Sequence, residues 1–131
     1  MKIRRIWTDK NVRLDSLVES VEHFLKMKGF TVSKRKQIRF GEQFLIVAIG
    51  KHEDGSHVII EGKILKKKNE VIIELSAGEG PISKVDALAN LFGAGYVTLR
   101  NVKSEEVLIR LEPEFYVYID QAMINLTKPS P

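Results

Sequence analysis

The sequence predicts an α+β domain: a mainly antiparallel, twisted sheet of about five strands, packed by an N-terminal amphipathic helix and by C-terminal helices. Two observations carry this prediction. Apolar residues with helical spacing occupy residues 14–25, and four strand-like segments follow, separated by short polar turns. Short turns join antiparallel neighbours, so the predicted order is β-α-β-β-β-β-α with a meander in the middle.

The first two elements are a short strand and a helix. Residues 2–7 are of mixed polarity, as is typical of an edge strand. Asp9 or Asn11 is a candidate N-cap for the helix, and Gly29 stands where a helix normally ends. Steps of three and four residues place one apolar face on this helix. That face consists of Leu14, Leu17, Val18, Val21, Phe24 and Leu25.

Four strand-like segments then cover residues 30–40, 43–49, 57–65 and 71–75. The segment 43–49 is apolar on both faces, which predicts a central strand with both sides of the sheet covered. Ile59 lies opposite the face marked by its neighbours Val58 and Ile60, and Ile72 is placed in the same way in the last segment. One helix cannot cover both faces, so either the C-terminal segment or another subunit covers the second.

The helices of the C-terminal third are predicted less clearly than the N-terminal helix. Residues 83–92 have helical spacing, residues 93–112 fit either a helix or a strand, and Pro113 suits the first turn of a closing helix. Residues 128–131 are predicted to form a flexible tail. Without an internal repeat or a low-complexity linker, residues 1–127 form a single predicted domain.

The element order is similar to that of the TATA-binding-protein-like and helix-grip folds, in which a curved antiparallel sheet wraps around a helix. This resemblance rests on the order of elements alone, and no sequence motif supports it. Those folds include DNA-binding proteins and carriers of apolar ligands, so the resemblance implies no single function.

Composition excludes several classes of protein. A chain of 131 residues has the usual size of one domain, and it has no cysteine for disulfides or thiolate zinc sites. No run of about 18 apolar residues predicts a membrane span, and the first residues do not resemble a secretory signal. A cytoplasmic protein without a cofactor is therefore expected. The aliphatic, Lys/Glu-rich composition is compatible with a thermophilic source.

Charge is unevenly distributed along the chain. Residues 1–68 contain sixteen Lys and Arg against eight Asp and Glu, whereas residues 69–131 contain five against nine. Such asymmetry favours an anionic partner for the first half, or pairing between the halves or between subunits.

Basic residues concentrate on the segment 30–40 and on the hairpin that follows residue 65. Alternation along the strand places Arg35 on one face and Ile38 on the buried face. A phosphate-binding edge for nucleic acid, another polyanion or an anionic lipid surface is one interpretation. An edge strand kept soluble by its charges is the other, and it is favoured. The candidate anion-binding residues are Lys34, Arg35, Lys36, Arg39, Lys66, Lys67 and Lys68.

The leading functional hypothesis is a non-catalytic binding or interaction module that forms a homo-oligomer through apolar surface on the sheet and the late helix. Its candidate interface residues are Ile59, Ile72, Phe92 and Leu99. The alternative is sequence-independent nucleic-acid binding through Arg35, Arg39 and the hairpin lysines 66–68.

A small-molecule enzyme with a cavity between sheet and helix ranks third. Its possible acid–base groups are Glu61, Glu74 and His57. No metal is predicted, because His52 and His57 bracket a polar turn without matching a known metal-ligand spacing.

Overall fold

Five strands and two helices make up the part of the chain that the computed structural model describes, residues 2–38, 41–53, 55, 57–77 and 104–127. The predicted α+β class and the predicted element order are confirmed. The elements are β1 (Lys2–Thr8), α1 (Leu14–Met27), β2 (Thr31–Gln37), β3 (Gln43–Lys51), β4 (His57–Lys67), β5 (Glu70–Ala77) and α2 (Ser104–Thr127).

The sheet is antiparallel throughout, with strand order β1-β5-β4-β3-β2. The strands β2 to β5 form the predicted meander, and β1 pairs with β5 from the opposite side. Two edges result, β1 and β2. Both edge strands carry several cations, which discourages pairing with strands of other molecules.

One face of the sheet packs against both helices. All six residues of the predicted α1 stripe are buried, which confirms the helix and its orientation. They share a core with inward-facing strand residues such as Ile46, Ile60 and Ile73. Gly62 lies in the middle of this face, where a Cβ would come within 3.0 Å of Leu75 and 3.3 Å of Ile46. The absence of a side chain therefore lets these two residues approach each other across β4.

The ends of α1 differ from the prediction at one point. Gly29 ends the helix with φ +91°, and the Phe30 N–H donates to the Leu25 carbonyl at 3.1 Å, as expected for a glycine helix stop. Arg13, rather than Asp9 or Asn11, occupies the N-cap position, without a capping side-chain hydrogen bond. Asp9 is instead held by the β4–β5 hairpin, as described below.

The closing helix is longer than predicted. It begins at Ser104 and contains Pro113 in its interior, so the prediction that Pro113 opens the helix is wrong. Leu108, before the proline, and Phe115, after it, are both fully buried in the same core. This shared packing offsets the roughly 3 kcal/mol that an interior proline costs. The predicted helix at 83–92, residues 93–103 and the predicted tail lie outside the described residues.

The second face of the sheet carries the apolar residues that the sequence placed opposite the helix side. Val47 and Ile59 are fully buried within the single chain, and Ile72 is 7% exposed. Glu61, on the same face of β4, is also buried. The double-sided apolar character of β3 and β4 predicted from sequence is thus confirmed, and it is satisfied without a second subunit.

Candidate nucleic-acid interface

Two turns meet at one end of the sheet. Gln43, at the start of β3, pairs with Leu65 near the end of β4, and the Lys66 N–H lies 3.4 Å from the Glu42 carbonyl. The β2–β3 and β4–β5 turns are therefore neighbours, as the sequence predicted. Arg39 lies outside the described residues. We call this end the basic end and define it by its cations, Arg35, Lys36, Lys63, Lys66, Lys67 and Lys68.

The predicted basic residues of β2 divide between the two faces of the sheet. Lys34 and Lys36 lie on the helix side, and Arg35 lies on the other. Lys34 Nζ is 2.8 Å from Glu22 Oε1, and this hydrogen bond lowers the pKa of Glu22 against the opposing effect of burial. Lys34 therefore has its counterion on α1 and is a poor candidate for binding phosphate.

Lys36 is also occupied. Its Nζ is 3.3 Å from Glu42 Oε1 and 5.6 Å from the centre of the Phe44 ring. The two contacts hold the lysine along the β2–β3 hairpin. With nearly half of its side chain exposed, it still adds to the local positive potential.

The other five cations of the basic end form no ion pair within the described part of the chain. Arg35 and Lys63 flank Leu45 in one row across the sheet, two strand spacings or about 10 Å apart. Lys67 and Lys68 are exposed, and Lys66 is half-buried. Two carboxylates lie opposite these cations in the register, Glu70 opposite Lys67 and Glu74 opposite Lys63. Positive charge thus exceeds negative charge at this end.

The tip of the β4–β5 hairpin is held in place. The Asp9 N–H donates to the Asn69 carbonyl at 2.8 Å, and the Asn69 side-chain amide donates to Asp9 Oδ1 at 2.9 Å. Lys68, beside Asn69, has φ +55°, a backbone conformation that residues other than glycine adopt at a cost. A lysine therefore stands at a fixed, strained tip position that glycine would occupy more easily.

The opposite edge of the sheet is also basic in sequence, but each cation of β1 contacts a carboxylate. Glu74 lies 3.4 Å from Lys2 and 3.5 Å from Arg4. Arg5 binds Asp120 on α2 through two hydrogen bonds, of 3.1 and 2.5 Å, which raise the pKa of Arg5 above its already high ordinary value.

Ile38 departs from the sequence prediction. It was expected on the buried face, yet 77% of it is exposed. The reason is that β2 pairing ends at Gln37, opposite Gln43, so Ile38 lies past the last pair and beyond the helix-covered core. Strand alternation does not reveal where pairing ends, so no sequence signal predicted this exposure.

The candidate interface residues remain untested as an interface. Ile59 and Ile72 are buried within the chain, and Phe92 and Leu99 lie outside the described residues. Exposed apolar surface occurs elsewhere, on α2, where Ile109, Val117 and Ile124 are 53%, 74% and 54% exposed. Val117 and Ile124 lie in the predicted closing helix, whereas Ile109 lies in residues 93–112, whose sequence fits either a helix or a strand.

The candidate acid–base residues do not come together in the described part of the chain. His57 borders a cleft of about 470 Å³ together with Phe30 and Lys51. Glu74 is instead bound to Lys2 and Arg4, and Glu61 is buried four residues further along β4. No reaction can be assigned to this arrangement.

The two candidate histidines have different surroundings. His52 lies 4.0 Å from Glu106 of α2, whereas His57 borders the cleft. Among the described residues, no three His, Asp or Glu side chains are placed to hold a metal ion. Neither α1 nor α2 is long and apolar enough to cross a membrane.

Comparison with known proteins adds only distant likenesses. No protein-family model matches the chain, and no curated protein matches it. Two solved structures share limited similarity with it, both di-domain ARO/CYC proteins. BexL, from the BE-7585A biosynthetic pathway, is 8% identical over all of this chain and 51% of its own, with a TM-score of 0.33. StfQ, from the steffimycin biosynthetic pathway, is 11% identical over 96% of this chain and 50% of its own, with a TM-score of 0.32. The chain spans about half the length of these proteins, and at such scores the likeness supports no functional argument.

Proposed function

We propose that this protein is a non-catalytic module that binds nucleic acid through the basic end, without regard to base sequence. One observation carries the proposal: within the described residues, Arg35, Lys63 and the lysines 66–68 form no ion pair, whereas each cation of the β1 edge contacts a carboxylate. Cations without partners can bind phosphate oxygens without first breaking an ion pair. This favours binding of the phosphates along a nucleic-acid backbone over a solubility role.

Binding to the nucleic-acid backbone accounts best for the residue types present at the basic end. Lysine and arginine side chains reach phosphate oxygens, but phosphate contacts carry no sequence information. Phe44, beside the basic end, is buried and therefore does not offer a face on which a base stacks. We therefore expect affinity to depend on salt far more than on sequence.

The salt dependence gives a quantitative test. If Arg35, Lys63 and the three hairpin lysines each neutralise one phosphate of a duplex, the slope of log affinity against log salt is about −4.5. Fluorescence anisotropy with a labelled mixed-sequence DNA duplex and a matching RNA, at salt concentrations of about 0.05 to 0.2 M, measures this slope. The triple variant K66Q/K67Q/K68Q should reduce its magnitude by about 3.

The other edge supplies the matched control. The variant K2Q/R4Q removes two cations that already contact Glu74, so its affinity should stay close to that of the parent. Equal losses in both variants would mean that only net charge matters. Absence of binding to either nucleic acid at low salt would rule out the proposed function and leave solubility as the role of the basic end.

A second candidate is self-association through α2, favoured by its exposed Ile109, Val117 and Ile124. The stripe faces away from the core, and Pro113 lies between its first two members. Light scattering should then give a multiple of the 14.9 kDa chain mass, reduced to the monomer by Val117→Glu. A monomer in the parent protein would exclude this candidate without affecting nucleic-acid binding.

A further inference from the structure

The most exposed large apolar side chain at the basic end is Ile38. It is 77% exposed and stands just beyond the last pair of the β2–β3 hairpin, between Gln37 and Gln43. The side chains of these two glutamines are joined by a hydrogen bond of 3.3 Å, which holds the base of the turn. An isoleucine fixed in water at this point loses the roughly 1.5–3 kcal/mol that burial would contribute.

The surroundings of Ile38 are cationic. Lys36 precedes it on the same face of the strand, and the lysines 66–68 lie on the adjoining hairpin, about 10 Å away across β3. The contact between the Lys66 N–H and the Glu42 carbonyl keeps the two turns side by side. An apolar tip therefore projects from a fixed frame of phosphate-binding groups.

We infer that Ile38 acts as a wedge that inserts between stacked base pairs of duplex DNA and kinks it, while the hairpin lysines 66–68 hold phosphates beside the inserted side chain. This inference rests on the proposed function and specifies its ligand as a deformable duplex. Apolar side chains such as Ile enter the minor groove of DNA, unstack a base step and bend the duplex by 20–90°. That groove is about 6 Å wide, so lysines about 10 Å to one side of a central wedge lie past its near border, over the phosphate backbone.

A lipid surface fits the same residues less well. Among the described residues of the basic end, Ile38 is the one large apolar side chain that is mostly exposed. A single inserted side chain contributes little apolar area, and stable membrane attachment needs more than one such signal. An inserted wedge in DNA needs only one apolar residue, because the phosphate contacts supply the affinity.

Energy transfer between dyes on the two ends of a DNA duplex tests the wedge directly. A central kink of about 60° in a duplex of about 20 bp shortens the end-to-end distance from about 68 Å to about 59 Å. The parent protein should raise the transfer efficiency as it binds. Ile38→Ser should bind within about threefold of the parent affinity by anisotropy but leave the transfer efficiency at its free-DNA value. Ile38→Phe should retain the kink, because a larger apolar group still unstacks the bases.

Val117→Ser is the matched control, because Val117 is almost as exposed, at 74%, but lies on α2. It should bend DNA like the parent. Binding without any change in transfer, or bending by Ile38→Ser equal to that of the parent, would overturn the wedge and leave the proposed function standing. Absence of DNA binding would overturn both. Salt-sensitive binding to phosphatidylserine vesicles that Ile38→Ser weakens, with DNA left straight, would replace the wedge by a lipid contact.

Discussion

The two edges of the sheet have similar sequences but differ in how many of the nearby cations have carboxylate partners. The edge strand β1 contains Lys2, Arg4 and Arg5, and the edge strand β2 contains Lys34, Arg35 and Lys36. On β1, Glu74 and Asp120 contact all three cations. On β2, Lys34 contacts Glu22 and Lys36 contacts Glu42. Arg35 and the lysines 66–68 of the neighbouring hairpin form no ion pair within the described residues. A run of basic residues therefore indicates a binding surface only once the carboxylates opposite it are known.

The largest expected effect comes from breaking the neutralised edge. Asp120→Ala leaves the half-buried Arg5 guanidinium without its carboxylate, although Arg5 still lies 4.6 Å from the centre of the Tyr116 ring. We expect the free energy of unfolding to fall by about 1.5 kcal/mol, a moderate value because both groups are partly exposed. Urea denaturation measures it. Glu114 also lies on α2, contacts Lys28 and is more exposed than Asp120. Glu114→Gln should lower the free energy of unfolding by less than about 0.5 kcal/mol. Equal losses in the two variants would mean that the Arg5 contact is no stronger than a surface pair.

Replacing the strained hairpin lysine separates strain from charge. Lys68→Gly relieves the φ of +55° and should raise the free energy of unfolding by about 1 kcal/mol, while lowering DNA affinity severalfold. Lys68→Ala keeps the strain and removes the same charge, so it should lose affinity to a similar degree without becoming more stable. Thermal denaturation and anisotropy on both variants make the comparison. A glycine variant that keeps full affinity would show that Lys68 does not contact phosphate.

The smallest effect would come from making the two edges alike. Glu74→Gln removes the carboxylate that contacts Lys2 and Arg4, so the β1 edge gains two cations without a partner. DNA affinity at low salt should rise by about threefold, and the unfolding free energy should change by less than about 0.5 kcal/mol. Glu19→Gln on α1, an exposed position, controls for the loss of one negative charge. A gain of the same size in that control would assign the effect to net charge alone.

Local sequence patterns were sufficient to predict most of the secondary-structure elements. The spacing from Leu14 to Leu25 predicted α1 and its buried face, and the turns between residues 30 and 75 predicted the meander. The opposed placement of Ile59 and its neighbours also predicted that both faces of the sheet are buried. These features depend on periodicities of 3.6 and 2 residues, which are written in the sequence itself. The start of α2 was missed because the interior Pro113 resembled a helix start.

The candidate site was only partly predictable. The sequence placed the β2–β3 and β4–β5 turns at one end of the sheet, because a meander alternates its turns between ends. It did not predict which cations have partners, since Arg5 and Asp120 are 115 residues apart in the chain. The exposure of Ile38 was missed for a related reason. Where a strand stops pairing depends on its neighbour and not on its own alternation.

By itself, the sequence determined the α+β class, the element order, the apolar face of α1 and the excess of positive charge in residues 1–68. Each of these follows from residue types at short spacing. Tertiary structure alone decided that Glu74 and Asp120 neutralise one edge, that Asn69 and Asp9 fix the hairpin tip, and that Ile38 projects into solvent. The physical reason is that ion pairing and exposure depend on distances in space between residues far apart in the chain, and electrostatic attraction acts over only a few ångströms in water and salt.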